Sequence, residues 1–434
     1  MVANRKIISL FSGAMGLDLG LEHAGFQTAV AVEINRAAVQ TLRLNRPTLS
    51  VFEKSVSLVS SAEILAESKM KLGEPCLVTG GPCCQSFSTA GKRKSVADAR
   101  GSLFFDFKRI VAETRPRFFV MENVKGILSA AVQHRPLNER GPGHPPLSCD
   151  EHLGTALSLI LKELEELRYH IVFGLVNAAD YGVPQKRWRV IFIGSRDGET
   201  IRIPDPTHDE NGAHGLLPWV TLRKAIGSHR EKEPGFIAFS RDRFDLLALL
   251  KAGQNWRDLP EHLHATALGA AYDSWGGRVG FCRRLDWNAP APTLTTSPNG
   301  RATTLCHPRD VRPLTVREYA ILQQFPKHWK FFGSTQQQYM QIGNAVPIGL
   351  GNAIGEMLRK TMDRTTRFGL PKDARSRLGK TVCDEKLQER IETRPKTQLN
   401  PARMLENSDP KEIKKWLQET AIQGIPKNRL HKPY

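Results

Sequence analysis

The 434-residue chain carries 62 Lys and Arg against 44 Asp and Glu, a formal net charge of +18. So basic a balance favours a polyanionic partner, nucleic acid first, over an anionic membrane, since no long basic amphipathic helix stands beside a hydrophobic anchor. No apolar run reaches 18 residues, so no membrane span is expected, and seven irregularly spaced cysteines without a Cys-x-x-Cys pair argue against a disulfide framework.

Cys306-His307 stands too much alone for a zinc site, and no metal is expected. The N-terminal MVANRKIISLF lacks the apolar stretch and cleavage site of a signal peptide, which reads as a mature, cytoplasmic protein. The length suggests two or three domains.

Residues 6–11 (KIISLF) form an apolar run of strand length. Gly13 and Gly16 then permit a tight turn, and Leu17, Leu21 and Ala24 recur at helical spacing. A strand, glycine turn and helix bring backbone close to a ligand at a helix N-terminus. A second strand, Thr28–Val32, ends in Glu33, where a carboxylate is placed to accept hydrogen bonds from a ribose diol. Standing alone, Glu33 reads more readily as a solvated strand-end acid.

A strand near Leu49–Val56 precedes the apolar run Pro75–Thr79, which stops at Gly80-Gly81-Pro82 and is followed by Cys83, Cys84, Gln85, Ser86, Phe87 and Ser88. A thiol on a loop after a buried strand is where α/β folds place chemistry. The plain alternative is a pair of small buried hydrophobes. The basic segment Gly91–Arg100 reads as phosphate-facing or merely solvated. A helix over Leu103–Glu113 leads to a strand at Arg117–Met121 ending in Glu122-Asn123-Val124. If the strands before Gly80 and Glu122 are parallel neighbours, Glu122 shares a sheet edge with Cys84.

Residues 129–152 read as a surface insertion. Leu153–Leu167 is helical, and strands at Tyr169–Val176 and Val190–Gly194 enclose DYGVPQKRWR. The alternation predicts a doubly wound α/β sheet. From Ser195 to His307 short apolar pieces, prolines and tryptophans suggest a second, smaller, irregular domain. Arg312–Phe325 looks helical, Gln341–Met357 is a turn running into a helix, and 361–434 reads as a charge-mixed tail with short helices such as Lys411–Thr420.

Taken in order, FSGAMG, VEIN, GGPCCQSFS, MENV, QKRWR, RPLTVRE and QIGNAVP resemble the motif series of the DNA (cytosine-5) methyltransferases, over about residues 6–195 and 308–358. The resemblance implies a catalytic α/β domain (1–194 with 308–360), a target-recognition domain (195–307), and a final helix packed beside the first motif. It implies S-adenosyl-L-methionine as cofactor, bound by Phe11, Gly13, Gly16, Glu33, Leu103 and Asn344. Cys84 is then the nucleophile, with Glu122, Arg187 and Arg189 in the catalytic set and Gln85 and Ser88 on the DNA. Duplex DNA is the implied partner of a monomer serving a prokaryotic restriction–modification system, with a cognate endonuclease as functional partner.

Two departures stand out. Cys83 occupies the position where the family has proline, which would fix φ and stiffen the loop. Lys54-Ser55-Val56 lacks the acid that reads the adenine amino group in the family, so no residue is assigned that role.

Covalent attack by a thiolate at carbon 6 makes carbon 5 of cytosine reactive, and a duplex target must be flipped out of the stack. Arg278, Arg283 and Arg284 are expected in the middle domain as guanine readers, with phosphate contact or plain surface as the alternative. Two other readings stay open: an RNA methyltransferase of the same fold, and a catalytically impaired DNA-binding paralogue.

Overall fold

The computed structural model describes residues 5–82, 103–133, 135–136, 139–140, 143–272 and 279–393. Cys83, Cys84, Gln85, Ser88, Gly91–Arg100, Arg278 and Lys411–Thr420 lie outside the described residues.

The N-terminal half alternates as the sequence predicts. β1 (Lys6–Leu10), α1 (Gly16–His23), β2 (Gln27–Val32), α2 (Arg36–Asn45), β3 (Ser50–Phe52), α3 (Ser61–Glu67), β4 (Leu77–Gly80), α4 (Leu103–Thr114) and β5 (Phe118–Val124) follow one another. After α5 (Thr155–Glu165) come β6 (His170–Asn177), a two-residue β7 (Gln185–Lys186) and β8 (Trp188–Ser195).

Eight strands form one sheet in the order β12-β6-β8-β5-β4-β1-β2-β3, where β12 is Lys380–Cys383. β8 runs antiparallel to both its neighbours, while the other pairs are parallel. Parallel neighbours need crossovers, which the helices supply, so both faces are covered and the strands read as near-continuous apolar runs. Alternate residues serve opposite faces: Ile7, Leu77, Phe118 and Ile193 pack with Leu17, Leu21 and Leu350, whereas Ile8, Val78, Phe119 and Phe192 pack with Phe107 and Ile160.

The middle region is built of short pieces. β9 (His208–Asp209) pairs with β10 (Leu217–Pro218), and α6 (Leu222–Ile226), α7 (Arg241–Ala248) and α8 (His264–Leu268) follow. It has a small apolar centre of its own, with Leu246, Leu247, Leu250, Leu259, Ala267, Cys282 and Cys306. β11 (Ala291–Pro292) brings the chain back beside β7. α9 (Val316–Leu322) and α10 (Thr335–Asn344) lead into α11 (Ile348–Phe368), which lies along α1. A Cβ on Gly16 would collide with the Val346 carbonyl and one on Gly20 with the Ile348 carbonyl, so these glycines let the last long helix seat against the first.

The folded body extends past residue 360, where the tail was expected to start. α11 continues to Phe368, β12 adds an edge strand in register with His170–Phe173, and Leu387 of α13 (Glu385–Thr393, after the short α12, Ala374–Arg377) is buried in the main core. The polar composition of this stretch reflects an edge position, where every second side chain of β12 faces solvent.

Candidate functional site

The register of the sheet sets out the site. Leu10 lies opposite Val32 on one side and Gly80 on the other, and Gly80 lies opposite Met121. The next residue on each strand is Phe11, Glu33, Gly81 and Glu122. These four stand in a row at the carboxyl edge of the parallel strands, where open α/β sheets bind ligands. Glu122 and the segment leading to Cys84 thus sit on parallel neighbours, as expected.

The first turn is tightly held. Phe11, Gly13 and Met15 all have left-handed backbone, with φ of 53°, 52° and 65°. For the two non-glycine residues this costs about 1–2 kcal/mol each, and such strain gathers at ligand-binding turns. A Cβ on Gly13 would meet nothing within 4 Å, so the turn faces open space there. Gly16 is different: its missing side chain is filled by the close approach of Ala345 and Val346, and its glycine is explained by packing.

Glu33 is buried, and both its carboxylate oxygens are engaged. Oε2 accepts from Gly13 N–H and Oε1 from Asn35 N–H, each at 2.7 Å. The acid at the end of β2 therefore fastens the glycine turn after β1, and each oxygen retains acceptor capacity. Ile34, which the sequence reading passed over, is 68% exposed beside it. Ser55 caps a short 3₁₀ turn at Val56–Leu58, consistent with the lack of an acid there. Leu103 opens α4 and is half-buried. Asn344, the last residue of α10, is exposed between buried neighbours.

At the other end of the row, Glu122 is ion-paired with Arg189 of β8, and both side chains are largely buried. A Cβ on Gly81 would lie 2.8 Å from Glu122 Oε2, so the carboxylate rests against the backbone that leads into the cysteine pair. Arg189 also donates to the Trp188 carbonyl at 2.7 Å.

Arg187 does not join this pair in facing the edge. It is 2% exposed and donates to the carbonyls of Leu294 (3.1 Å) and Gly343 (2.9 Å). Burial, with Arg189 nearby, pushes its guanidinium well below the usual range. Placed among the catalytic residues by resemblance, Arg187 is a structural tie.

Gln185 has a similar part: its Oε1 accepts from Leu294 N–H and its Nε2 donates to Gln323 Oε1, both at 2.9 Å. Gln323 was missed as well, since nothing in ILQQF distinguishes a buried glutamine from a solvated one.

Arg284 is also spoken for. It is buried and donates to the carbonyls of Leu250, Pro308 and Arg309. It holds the middle region together and is withdrawn from the expected base readers. Arg283 is half-buried, with a long bond of 3.5 Å to the Thr304 carbonyl. The RPLTVRE motif is likewise structural: Arg312 forms two 2.8 Å bonds to Glu318, which with Thr315 makes the capping box of α9.

Comparison with known proteins identifies the family. The family model for C-5 cytosine-specific DNA methylase matches residues 5–360. The Type II methyltransferase M.Sau96I of Staphylococcus aureus is 35% identical over 358 residues, covering 81% of this chain and 75% of that protein. M.PspPI of a Psychrobacter species is 35% identical (82% and 80% covered), and M.Eco47II of Escherichia coli 33% (83% and 80%). A solved E. coli structure, described as a DNA modification methyltransferase encoded within a prophage, superposes with a TM-score of 0.57 at 25% identity, covering 82% of this chain and 99% of its own. The chain belongs to the C-5 cytosine-specific DNA methylases and is a DNA (cytosine-5) methyltransferase.

Proposed function

We propose that this enzyme methylates cytosine within a specific duplex sequence, in a restriction–modification setting, with the row Phe11–Glu33–Gly81–Glu122 as its working edge. The observation that carries the proposal is the register of β2, β1, β4 and β5, which sets the carboxylates of Glu33 and Glu122 on either side of the Gly80–Pro82 exit.

S-adenosyl-L-methionine, when bound, supplies the methyl group. The residues present fit it: the turn at Gly13 is open, Glu33 has acceptor capacity for a ribose diol, and Ile34 offers an apolar face beside it. Phe11, Gly13, Glu33, Leu103 and Asn344 would hold it, with Gly16 contributing by seating α1.

In the proposed reaction Cys84 attacks carbon 6 of the flipped cytosine as a thiolate. Attack drives electron density onto ring nitrogen 3, where the carboxyl of Glu122 stabilises it by a hydrogen bond. Arg189, already on Glu122, orients that carboxyl and offers a charge-assisted donor to the ring carbonyl oxygen. After methyl transfer a base removes the carbon 5 proton and the thiolate leaves.

The net charge of +18 serves phosphate contact. The middle region, about 195–307, reads the sequence, with Arg278 and Arg283 remaining as candidate readers and Gln85 and Ser88 on the DNA near the target. We further propose a monomer paired functionally with a cognate endonuclease. Cys84→Ser should abolish methylation while DNA binding persists, and Cys83→Ser should retain it. Full activity in Cys84→Ser would overturn the assignment of the nucleophile.

A further inference from the structure

A helix end leaves its last carbonyls without intrahelical partners. α10 ends inside the protein, and side chains from two other segments meet its terminal carbonyls. Gln323 Nε2 donates to the carbonyls of Ile342 (2.6 Å) and Ala345 (3.0 Å), and Arg187 donates to that of Gly343. The residues on either side, 341–343 and 345–348, are buried, while Asn344 is exposed. Gln323 is itself fixed: it is fully buried, its Oε1 accepts from Gln185, and its backbone carbonyl accepts from Ile348 N–H at 3.2 Å.

Filling that volume would need only an apolar side chain, and a buried amide is costly unless its hydrogen bonds are made. An amide here is explained by what it holds. The α10–α11 turn is also the segment pressed against Gly16, one turn from the open backbone of Gly13, so its placement sets where the Asn344 side chain stands relative to the cofactor edge.

We propose that Gln323 is a positioning residue for the methyl-donor site. It acts through the α10–α11 turn, holding Ile342 and Ala345 so that Asn344 is presented to the cofactor. This rests on the assignment of Asn344 as a cofactor contact.

The test is calorimetric titration of the full chain with S-adenosyl-L-methionine, without DNA, for the wild type, Gln323→Met, Asn344→Ala and the double variant. Each single change should weaken binding by roughly tenfold, the loss expected when a buried hydrogen-bonding partner is removed. The double variant should bind no more weakly than Asn344→Ala alone, because Gln323 works only through Asn344.

Wild-type affinity in Gln323→Met, or additive losses in the double variant, would overturn the proposal and leave the role of Asn344 intact. Wild-type affinity in Asn344→Ala would instead remove the assignment of Asn344 itself, and the proposal with it. Should Gln323→Met fail to fold, Gln323→Glu keeps the acceptor for Gln185 and, protonated at this buried position, retains only one of the two donors, and the same outcomes apply to it.

Discussion

Arg189 on β8 is ion-paired with Glu122 on β5 although the two are not register partners. Glu122 lies opposite Ile191 and Arg189 opposite Val124, so the pair is a diagonal across antiparallel strands. The single antiparallel strand of the sheet thus delivers a cation onto the acid at the end of a parallel one. If that acid stabilises charge on the cytosine ring, Glu122→Gln should lower the single-turnover rate by about 10²–10⁴-fold with DNA affinity near wild type. Arg189→Leu should cost a similar amount, and the double variant little more than either single one, because the two act as a unit. Additive losses in labelled-methyl transfer would contradict the pairing.

Gly81 is predicted to be intolerant of any side chain for the same reason. An added methyl group would sit 2.8 Å from Glu122 Oε2, and the carboxylate is held in place by Arg189. Gly81→Ala should therefore depress turnover at least tenfold, as a slightly misplaced catalytic group does, while the melting temperature changes little. A variant that keeps wild-type turnover would mean that Glu122 does not work from the position seen.

Asp18 gives the protein a pH dependence of its own. It lies in the first turn of α1, 2% exposed, with Oδ1 unpartnered. Burial raises its carboxyl from the ordinary 3.8 to about 7, with the Glu22 charge adding to the rise and a hydrogen bond with Ser9 opposing it. Between those values the folded form holds a proton that the unfolded chain has lost, so stability falls as pH rises from about 4 to about 7. Asp18→Asn keeps the shape and removes the titration. Melting temperatures measured across this range should show a downward contribution in the wild type that is absent from the variant; identical profiles would contradict it.

Arg284 should behave as a structural residue. Arg284→Leu leaves the carbonyls of Leu250, Pro308 and Arg309 without their donor, at about 1–3 kcal/mol for each of the two buried ones, Leu250 and Pro308. The expected result is a lower denaturation midpoint with an unchanged methylation sequence. A changed target sequence in a stably folded variant would restore Arg284 to the readers.

Much of the fold was legible because its signals are local and strong. The apolar runs at 6–11, 28–32, 75–79 and 117–121 are strand-length and largely buried, and each ends on, or one or two residues before, a residue of the working row. What escaped the sequence was burial of polar groups. Arg187, Arg284, Gln185 and Gln323 are long polar side chains whose hydrogen-bonding partners are groups distant in the chain, mostly backbone carbonyls, and no periodicity reveals such a partner. A motif match could name Arg187, but only the carbonyls of Leu294 and Gly343 show that it ties segments together. The strand β12 was overlooked because an edge strand of four residues with alternating exposure reads as part of a polar tail. Glu33, ambiguous alone, is seen in the structure to be buried and held by two backbone donors.

The most direct test of the account is transfer of label from methyl-labelled S-adenosyl-L-methionine to unmethylated duplex DNA, with bulk RNA in parallel and the modified base identified after hydrolysis. The account predicts label in DNA as 5-methylcytosine and none in RNA. Label confined to RNA would contradict the DNA substrate. No label in either, with DNA binding intact, would mean that Cys83 in the proline position or the missing acid at 54–56 has disabled the site, and that the chain binds DNA without modifying it.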